Sequence, residues 1–483
     1  MLLPVFRWTA AAAVLLMSVA VAAEAADEEP SATQGRIAVL ADLRDAALRS
    51  DYAMDQLTVL SDTIGPRLSG SKQAAAAVTL VADAMRALGA KVSLEPVKVP
   101  HWVRGEERAE LVDYPGRPEG ISQRIVLAAL GGSTATPGKG LKREVLVIHS
   151  LAELSLNEAR VRDRIVLISV PFDQSLADND QAGAAYVQGL VPRLRGPAAA
   201  AKLGAAAVLV RAIGGAHYRQ VHAGDTRWEE GGRRIPAAAV TVEDALLIER
   251  LAAKGPVTMQ LLLTPKTLPD ADSYNVIADW PGRERPDEVV VVSGHLDSWD
   301  LGTGAIDDGA GVVVAMATLK LIKDLGLQPR RTIRFVAFMN EENGLRGSAA
   351  HFAAHKDQLA KQIAVIESDT GAGRPLGLDA RVTPASMARL EPLKQVLSSI
   401  GAPVIDRSDR SVAADISPLQ DAGVPGFQPK LDTRHYFDYH HSGADTLDKV
   451  EPENLRRNVA VTAALTWWLA DMPEPLERLP VAP

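Results

Sequence analysis

Histidine and carboxylate side chains are concentrated just after the apolar run from Glu288 to Val292. The chain from residue 293 to 309 reads Ser-Gly-His-Leu-Asp-Ser-Trp-Asp-Leu-Gly-Thr-Gly-Ala-Ile-Asp-Asp-Gly. His295 offers a nitrogen donor, and Asp297 two residues later points to the same side of an extended chain. Asp307 follows across a glycine-rich stretch that can bend tightly. These types and spacings are typical of metal ligands, although a single His-x-Asp is more often a solvated surface pair.

A second acidic cluster follows the next predicted strand, Thr332 to Met339, after a segment of helical period from Gly309 to Leu325. That strand ends directly in Asn340-Glu341-Glu342. Adjacent side chains on an extended chain point in opposite directions, so one glutamate can bind a metal while its neighbour faces the substrate water. Taken alone, the pair is equally compatible with the acidic first turn of a helix.

Two further polar segments extend the pattern. The predicted strand from Ile363 to Ser368 is followed by Asp369, and a polar loop near the end of the chain contains His440 and His441. Strands that alternate with helices predict an open α/β sheet, in which functional groups gather beyond the carboxyl ends of the strands. We therefore expect four ligand-bearing loops to converge at one edge of the sheet.

Together these motifs resemble the family of di-zinc aminopeptidases and glutamate carboxypeptidases. The resemblance rests on Gly-His-Leu-Asp-Ser-Trp-Asp at 294–300, Ala-Ile-Asp-Asp-Gly at 305–309, Glu341-Glu342, Glu367-Ser368-Asp369, Asp415-Ile416-Ser417-Pro418, Ala422-Gly423-Val424-Pro425-Gly426, and His440-His441-Ser442 followed by Asp445-Thr446. It implies an α/β fold of the zinc-peptidase/phosphorylase type, with a mixed, mostly parallel sheet flanked by helices. The chain before residue 266 fits the family more loosely.

The resemblance also implies a metal site with two zinc ions. Asp307 would bridge the two ions, the first of which would also take His295 and Asp369, and the second Glu342 and His441. Nitrogen and oxygen donors of this kind suit zinc and are also compatible with manganese or cobalt.

By the same resemblance, Glu341 would be the general base that takes a proton from the attacking water. Asp297 would fix the tautomer and orientation of His295 from behind. The family pattern places the histidine ligand directly before a Ser or Thr, which selects His441 and leaves His440 to face the substrate. The other histidines, at 101, 149, 217, 222, 351, 355 and 435, have no matching partners in sequence and are expected on the surface or on helix faces.

The functional expectation is a metallopeptidase that acts on short peptides, with dipeptides that have both termini free as the implied substrates. An aminopeptidase that acts on longer peptides is the alternative. A non-catalytic receptor or binding relative would have lost ligands, whereas all five ligands and the base are present here. The net charge of −8 and the absence of a basic run argue against a nucleic-acid partner.

The first 26 residues have the composition of a secretory signal peptide. Arg7 precedes an Ala-rich apolar stretch and then Ala23-Glu24-Ala25, a small-residue cleavage site. We expect a secreted protein in an extracytoplasmic compartment, the periplasm, with no membrane span after processing; a retained N-terminal anchor is the alternative. With no cysteine in the chain, neither a lipid-modified cysteine nor a disulfide is available.

The remaining sequence divides into segments that differ in composition and in predicted secondary structure. Residues 27–119 and 266–473 are predicted to form the catalytic domain, 120–265 an inserted protease-associated α+β domain, and 474–483 a tail. A helix is predicted from Ser71 to Leu88 and another from Ala198 to Ala207. Two roles for the insert stay open: a wall that restricts the cleft to short peptides, or a contribution to a homodimer interface.

Overall fold

A computed structural model describes residues 30–481 of the chain. The predicted signal peptide at residues 1–26 lies outside these residues. Within residues 30–481, none of the helices combines the length and the apolar character that crossing a membrane requires.

Helices and strands alternate along the described chain. The helices are α1 (Pro30–Leu48), α2 (Tyr52–Thr58), α3 (Lys72–Leu88), α4 (Leu151–Leu156), α5 (Glu158–Val161), α6 (Gln174–Asp178), α7 (Ala182–Lys202), α8 (Val242–Ala252), α9 (Ala310–Asp324), α10 (Arg346–His355), α11 (Glu391–Ser398), α12 (Ser417–Asp421), α13 (Tyr436–Tyr439) and α14 (Pro452–Asp471). The strands are β1 (Lys91–Val103), β2 (Glu107–Asp113), β3 (Gln123–Ile125), β4 (Leu127–Ala129), β5 (Leu141–Ile148), β6 (Ile165–Ile168), β7 (Ala207–Arg211), β8 (Ala237–Val240), β9 (Thr258–Leu263), β10 (Lys266–Trp280), β11 (Arg285–His295), β12 (Arg331–Phe338), β13 (Gln362–Glu367), β14 (Pro375–Arg381), β15 (Val404–Arg407) and β16 (Gly426–Leu431).

The first of two sheets has eight strands in the order β1-β10-β12-β11-β13-β16-β14-β15. Its centre, β12-β11-β13-β16, is parallel, whereas β1, β10 and β14 pair antiparallel with their neighbours toward that centre. Helices pack against the sheet, α9 and α14 among them. This arrangement confirms the predicted α/β fold with a mixed, mostly parallel sheet flanked by helices.

Strand β11 shows why the centre of this sheet is so apolar in sequence. Val290 and Val292 face the large core that includes α9 and α14, while Val289 and Val291 face a second core on the opposite side. Because both faces are covered, apolar residues do not alternate with polar ones along the strand. Each fully buried valine contributes about 1.5–3 kcal/mol.

Helix α3 agrees with the predicted helix from Ser71 to Leu88. The Ser71 side chain accepts a hydrogen bond from Ala74 N at 3.0 Å, which caps the first turn. Gly89, at φ +94°, ends the helix in the left-handed conformation that favours glycine. Val81 and Met85 are buried on the side that packs on the first sheet.

The second sheet has the strand order β3-β2-β9-β5-β6-β7-β8-β4, with β5, β6, β7 and β8 parallel. Its strand β2 begins at Glu107, before the position 120 at which the sequence predicted an insert to start. The glycine- and proline-containing stretch 114–122 connects β2 to its hairpin partner β3. The change in sequence texture at residue 120 therefore marks a turn inside this sheet, not its beginning.

Helix α7 differs from the prediction, which placed a helix only from Ala198 to Ala207. The helix begins at Ala182 and ends at Lys202, with Pro192 and Pro197 inside it. Prolines inside a helix normally argue against it, because each removes a backbone donor. Close packing favours the helix here: a Cβ on Gly196 would lie 2.4 Å from Ile168 Cδ1, so the helix lies directly on the second sheet.

Candidate metal centre

The predicted ligands emerge from the carboxyl ends of adjacent parallel strands. His295 is the last residue of β11, and Asp369 follows β13 by two residues. The turn 305–309 before α9 brings Asp307 to the same place. His295 Nε2 lies 3.2 Å from Asp307 Oδ1 and 3.3 Å from Asp369 Oδ1. The first predicted ligand group is thus assembled.

The second predicted group lies on the other side of Asp307. His441 Nε2 lies 3.3 Å from Asp307 Oδ2 and 2.9 Å from Glu342 Oε2. Glu342 follows β12, and its Oε1 accepts a hydrogen bond from Trp299 N at 3.1 Å. Because one Asp307 oxygen faces His295 and the other faces His441, this carboxylate stands where a bridging ligand would have to stand.

The donor atoms fit divalent cations. His295 Nε2 and Asp307 Oδ2 are buried and form no hydrogen bond, although other ligand atoms lie close to them. Burying a polar atom without a hydrogen-bond partner costs free energy. Donor atoms that lie about 3 Å apart and are not hydrogen-bonded to each other can instead bind the same cation. Nitrogen and carboxylate oxygen donors in this number are typical of zinc and related metals.

Charge in the site also calls for a cation. Burial, together with the nearby Asp307 carboxylate, raises the pKa of Glu342 well above its ordinary value. Burial lowers the pKa of His295, but Asp369 and Asp307 outweigh it and raise that pKa well above the usual range. Burial lowers the pKa of His441 to about 4. Several carboxylates are therefore packed together with little compensating charge, an arrangement that a bound cation stabilises.

Glu341 lines a cavity of about 700 Å³ that opens over the ligand groups. Burial and the neighbouring carboxylates, Asp369 first among them, raise the pKa of Glu341 to about 8. The adjacent Glu342 contacts His441, and both glutamates line the same cavity. Glu341 is thus positioned to exchange a proton with a molecule in the cavity.

Asp297 is placed differently from the prediction. Nδ1 of His295 lies 3.0 Å from the Asp297 carbonyl oxygen but 3.9 Å from its carboxylate. The carboxylate instead accepts hydrogen bonds from the backbone N–H groups of Asn340, Glu341 and Glu342 at 2.7, 3.1 and 3.4 Å. The main chain of Asp297 orients His295, and its side chain holds the loop that presents both glutamates.

Asp308, next to Asp307, also brings a carboxylate oxygen within 4.8 Å of one ligand atom each of His295 and Asp369. Its carboxylate accepts hydrogen bonds from His295 N and Gly311 N, each at 3.0 Å. The peptide bond between Asp307 and Asp308 is cis. Asp308 therefore fixes the backbone around the ligands, whereas Asp307 points between them.

The two adjacent histidines stack on each other, with ring centroids 3.6 Å apart. Only His441 also contacts Glu342; His440 Nε2 lies 3.2 Å from Asp307 Oδ2, and His440 Nδ1 lies 3.2 Å from His222 Nε2. His222 was expected on the surface or on a helix face, which is wrong, since it is 4% exposed. A single histidine among Gly, Ala and polar residues gives no sequence signal for this position.

Helix α7 and the loop between β7 and β8 supply more of the site than the sequence indicated. Ala223 N donates to the His441 backbone oxygen at 2.9 Å. Arg193 and Tyr186 of α7 line the cavity together with Glu341 and His441. The sequence contained no ligand-like cluster in this part of the chain, and these contacts arise only when the two sheets pack together.

A further histidine cluster lies apart from the site. Glu95 of β1 contacts His351 Nδ1 at 3.2 Å and His355 Nε2 at 3.3 Å, both on α10. His351 is buried on its helix face, and its pKa is lowered by burial. Arg334 Nη1 lies 3.4 Å from His355 Nε2, and this positive charge disfavours a cation there. The cluster ties α10 to β1.

A metal-ligand set at the carboxyl edge of a mixed α/β sheet defines a class of metallopeptidase, and comparison with known proteins agrees. The model of peptidase family M28 matches residues 275–466, and the chain belongs to this family. Human carboxypeptidase Q is 37% identical over 426 residues, which are 88% of this chain and 86% of the human protein. The predicted family resemblance and the metallopeptidase class are thereby confirmed.

Solved structures agree with the fold. A peptidase M28 precursor from Shewanella amazonensis is 38% identical, with a TM-score of 0.87 over 93% of this chain and 99% of its own. BSAP, a zinc aminopeptidase from Bacillus subtilis, shares the fold at 20% identity, with a TM-score of 0.63 over 89% of this chain and 98% of its own.

Proposed function

We propose that this M28 metallopeptidase is a co-catalytic di-zinc exopeptidase that hydrolyses short peptides, in particular dipeptides with free termini. The main support is the position of Asp307, with one carboxylate oxygen toward His295 and the other toward His441. In this proposal His295 and Asp369 would hold one ion, Glu342 and His441 would hold the other, and Asp307 would contribute to both. The bound ions would polarise the scissile carbonyl and lower the pKa of the attacking water.

The protein's own groups manage the protons and the oxyanion. Glu341 takes a proton from the attacking water and delivers it to the leaving amine. No side chain acts as a covalent nucleophile. Burial lowers the pKa of His440 well below its usual value, so this ring is neutral. When His222 Nε2–H donates to His440 Nδ1, the His440 proton is on Nε2, from which it stabilises the developing oxyanion.

The remaining parts of the proposal concern location and architecture. The sheet built from residues 107–263 is assigned to a protease-associated insert, whose wall over the cavity restricts access to short peptides. Export by residues 1–26 places the enzyme in an extracytoplasmic compartment, the periplasm. The support is the charged start, the apolar run and the small-residue site in that segment.

The Glu341→Gln variant tests the mechanism. Glutamine has the same shape but cannot accept the proton, so kcat should fall at least 10²-fold while about two metal equivalents remain bound. Metal analysis of the purified protein and dipeptide hydrolysis give the two readouts. Near-wild-type turnover in a metal-replete variant would remove Glu341 from this role, and a wild-type protein without two bound metals would contradict the di-zinc site.

A further inference from the structure

The loop that follows β11 connects the two sheets through one tryptophan. Trp299 lies in this loop of the first sheet, yet its side chain is 3% exposed and packs in an apolar core formed mainly by strands of the second sheet. A Cβ on Gly131, just after β4, would lie 2.3 Å from Trp299 Cη2, so glycine at that position leaves the space that the indole ring occupies. The ring thus anchors the loop to the second sheet.

The main chain of Trp299 holds one of the predicted ligands. Trp299 N donates to Glu342 Oε1 at 3.1 Å, while Glu342 Oε2 lies 2.9 Å from His441 Nε2. One oxygen of this carboxylate is therefore fixed by the Trp299 amide, and the other faces the second ligand group. Loss of a hydrogen bond that orients a metal-binding side chain typically costs about 10- to 100-fold in metal affinity.

Arg104 fixes Asp300, the residue after Trp299. It lies in the connection between β1 and β2, where the chain passes from the first sheet to the second. Nε and Nη2 donate to the two Asp300 carboxylate oxygens at 2.8 and 2.7 Å, which makes the pair bidentate. Nη1 donates to Glu107 Oε1 at 2.7 Å and to Ala129 O at 2.8 Å, on strands β2 and β4. Arg104 therefore ties the loop to two strands of the second sheet.

The other member of this ligand group is held by the same region. Ala223 N donates to the His441 backbone oxygen at 2.9 Å. The next residue, Gly224, accepts a hydrogen bond from Gly131 N at 2.9 Å, and Gly131 is the residue that lies against the Trp299 ring. Both ligands of the second group are therefore connected to one part of the second sheet.

The first ligand group is held by the first sheet. His295 N donates to Asp308 Oδ2 at 3.0 Å, and His295 Nδ1 lies 3.0 Å from Asp297 O. Asp369 follows β13, the strand that pairs with β11. These partners belong to the first sheet and its loops, so the two ligand groups differ in what positions them.

We infer that Arg104 is a positioning residue for Glu342; this inference rests on the proposed two-metal function. Through its pair with Asp300, Arg104 fixes the position of Trp299, whose amide orients the Glu342 carboxylate. A charge pair at the junction of the two sheets thereby sets the affinity of the ion that Glu342 and His441 would hold. The ion at His295 depends on this pair much less.

Zinc titration against a competing chelator tests the inference. Arg104→Gln, which removes the bidentate pair, should weaken one of the two zinc sites about 10- to 100-fold and leave the other near its wild-type affinity. Arg104→Lys keeps the charge without the planar fork and should recover part of the loss. Arg143→Gln is the matched control with both affinities unchanged, because Arg143 forms an exposed pair with Asp163 on the same sheet. Equal weakening of both sites, or of neither, would overturn the inference.

Two further variants assign the effect to this pair and to one ion. Asp300→Asn removes the same charge pair from its other side and provides the test if Arg104→Gln does not fold. Combining the two substitutions should cost no more than the larger single effect, because both act on one contact. In His441→Ala, which should keep only the ion at His295, adding Arg104→Gln should leave the remaining affinity unchanged. Additive losses, or a weaker remaining site, would show that Arg104 does not act through Asp300 on Glu342.

Hydrogen exchange of the metal-free protein separates this inference from the proposed function. The Trp299 amide proton is protected by its hydrogen bond to Glu342, so peptides that contain residue 299 should exchange about 10-fold faster in Arg104→Gln than in the wild type. Peptides from β13 should exchange at the wild-type rate. Unchanged exchange at residue 299 would contradict the inference alone. A wild-type protein that binds fewer than two zinc ions, or hydrolyses no peptide, would contradict only the proposed function, because this measurement needs neither metal nor substrate.

Discussion

Asp307 is the side chain that contacts both predicted ligand groups. Burial raises the pKa of this carboxyl group, but the imidazoles of His440, His295 and His441 around it outweigh burial and hold the pKa well below its ordinary value. The carboxylate is therefore charged throughout the range in which a peptidase works. Its two oxygens face His295 and His441, so the loss of this residue would disturb both ligand groups at once.

The paired histidines lead to a prediction at this scale. Only His441 contacts both Glu342 and Asp307, so His441→Ala should lose one of two metal equivalents. His440→Ala should keep both metals and lose about 10²- to 10³-fold in kcat, as expected when an oxyanion donor is removed. Metal analysis combined with dipeptide kinetics distinguishes the variants. One metal in the His440 variant and two in the His441 variant would show that the ligand is the neighbouring ring.

Sequence could indicate the five predicted ligands and Glu341 because each lies in a motif directly beside a strand end or in a recognisable polar loop. It could not indicate Arg193, which lies on helix α7, or His222, which lies in the loop between β7 and β8. Their positions depend on how two sheets pack, and no local spacing records that packing. The same limit applied to Asp297, since its side chain and its carbonyl have different partners.

At the scale of elements, the site depends on the loop after β12. The Asp297 carboxylate is the shared acceptor for three consecutive backbone donors in that loop. Ser69 adds a fourth hydrogen bond, from its hydroxyl to Asp297 Oδ2 at 3.0 Å. A buried carboxylate with this many donors acts as a fixed anchor for a short irregular segment.

This anchoring predicts an uneven effect of Asp297→Ala on the metals. The loop that carries Glu342 should loosen, so binding of the ion held by Glu342 should weaken and kcat should fall about 10- to 100-fold. Binding at His295 should change less, because its contact is with the Asp297 carbonyl. Metal titration measures both affinities, and Ser69→Ala, which removes only one of the four hydrogen bonds to the Asp297 carboxylate, is the milder control. Equal weakening of both ions would mean that the side chain orients His295 as well.

Helix α7 is an element whose full length could not be predicted from the sequence. Its two prolines and several glycines predict an interrupted helix, yet Gly189 and Gly196 are the residues that let it pack closely on the second sheet. The central strands of the first sheet were easier to predict, since their continuous apolar runs match burial on both faces. Periodic core elements follow from sequence, whereas elements shaped by close contact depend on partners far along the chain.

Across the whole molecule, the cavity is a joint product of the two sheets. Loops of the first sheet provide the ligands, and α7 with the segment around Ala223 provides the opposite wall. The sheet class could be predicted from the order of strands and helices. The packing of the two sheets against each other could not be predicted from the sequence. It depends on contacts such as the hydrogen bond from Ala223 N to His441 O, which no sequence motif indicates.

Packing so many carboxylates inside the molecule predicts how the metal-free protein responds to pH. Burial raises the pKa of both Glu341 and Glu367 to about 8. In the unfolded chain both groups titrate near 4.3. The folded state binds these protons more tightly than the unfolded chain does. The contribution of the two groups to the free energy of unfolding is therefore complete at low pH and is lost as pH rises toward 8.

Between pH 6.5 and 8, the free energy of unfolding of the metal-free protein should therefore fall. Below 6.5 this trend is offset: the pKa of His441 is lowered to about 4 in the folded state, so the unfolded chain takes up the proton first and is favoured as pH decreases. Urea denaturation after chelation, at several pH values, measures the slope. Zinc should raise stability most at pH 8, because it supplies the missing positive charge and binds deprotonated ligands. Glu367→Gln, which keeps an acceptor for Ile416 N, should flatten the metal-free slope; an unchanged slope would show that Glu367 does not contribute.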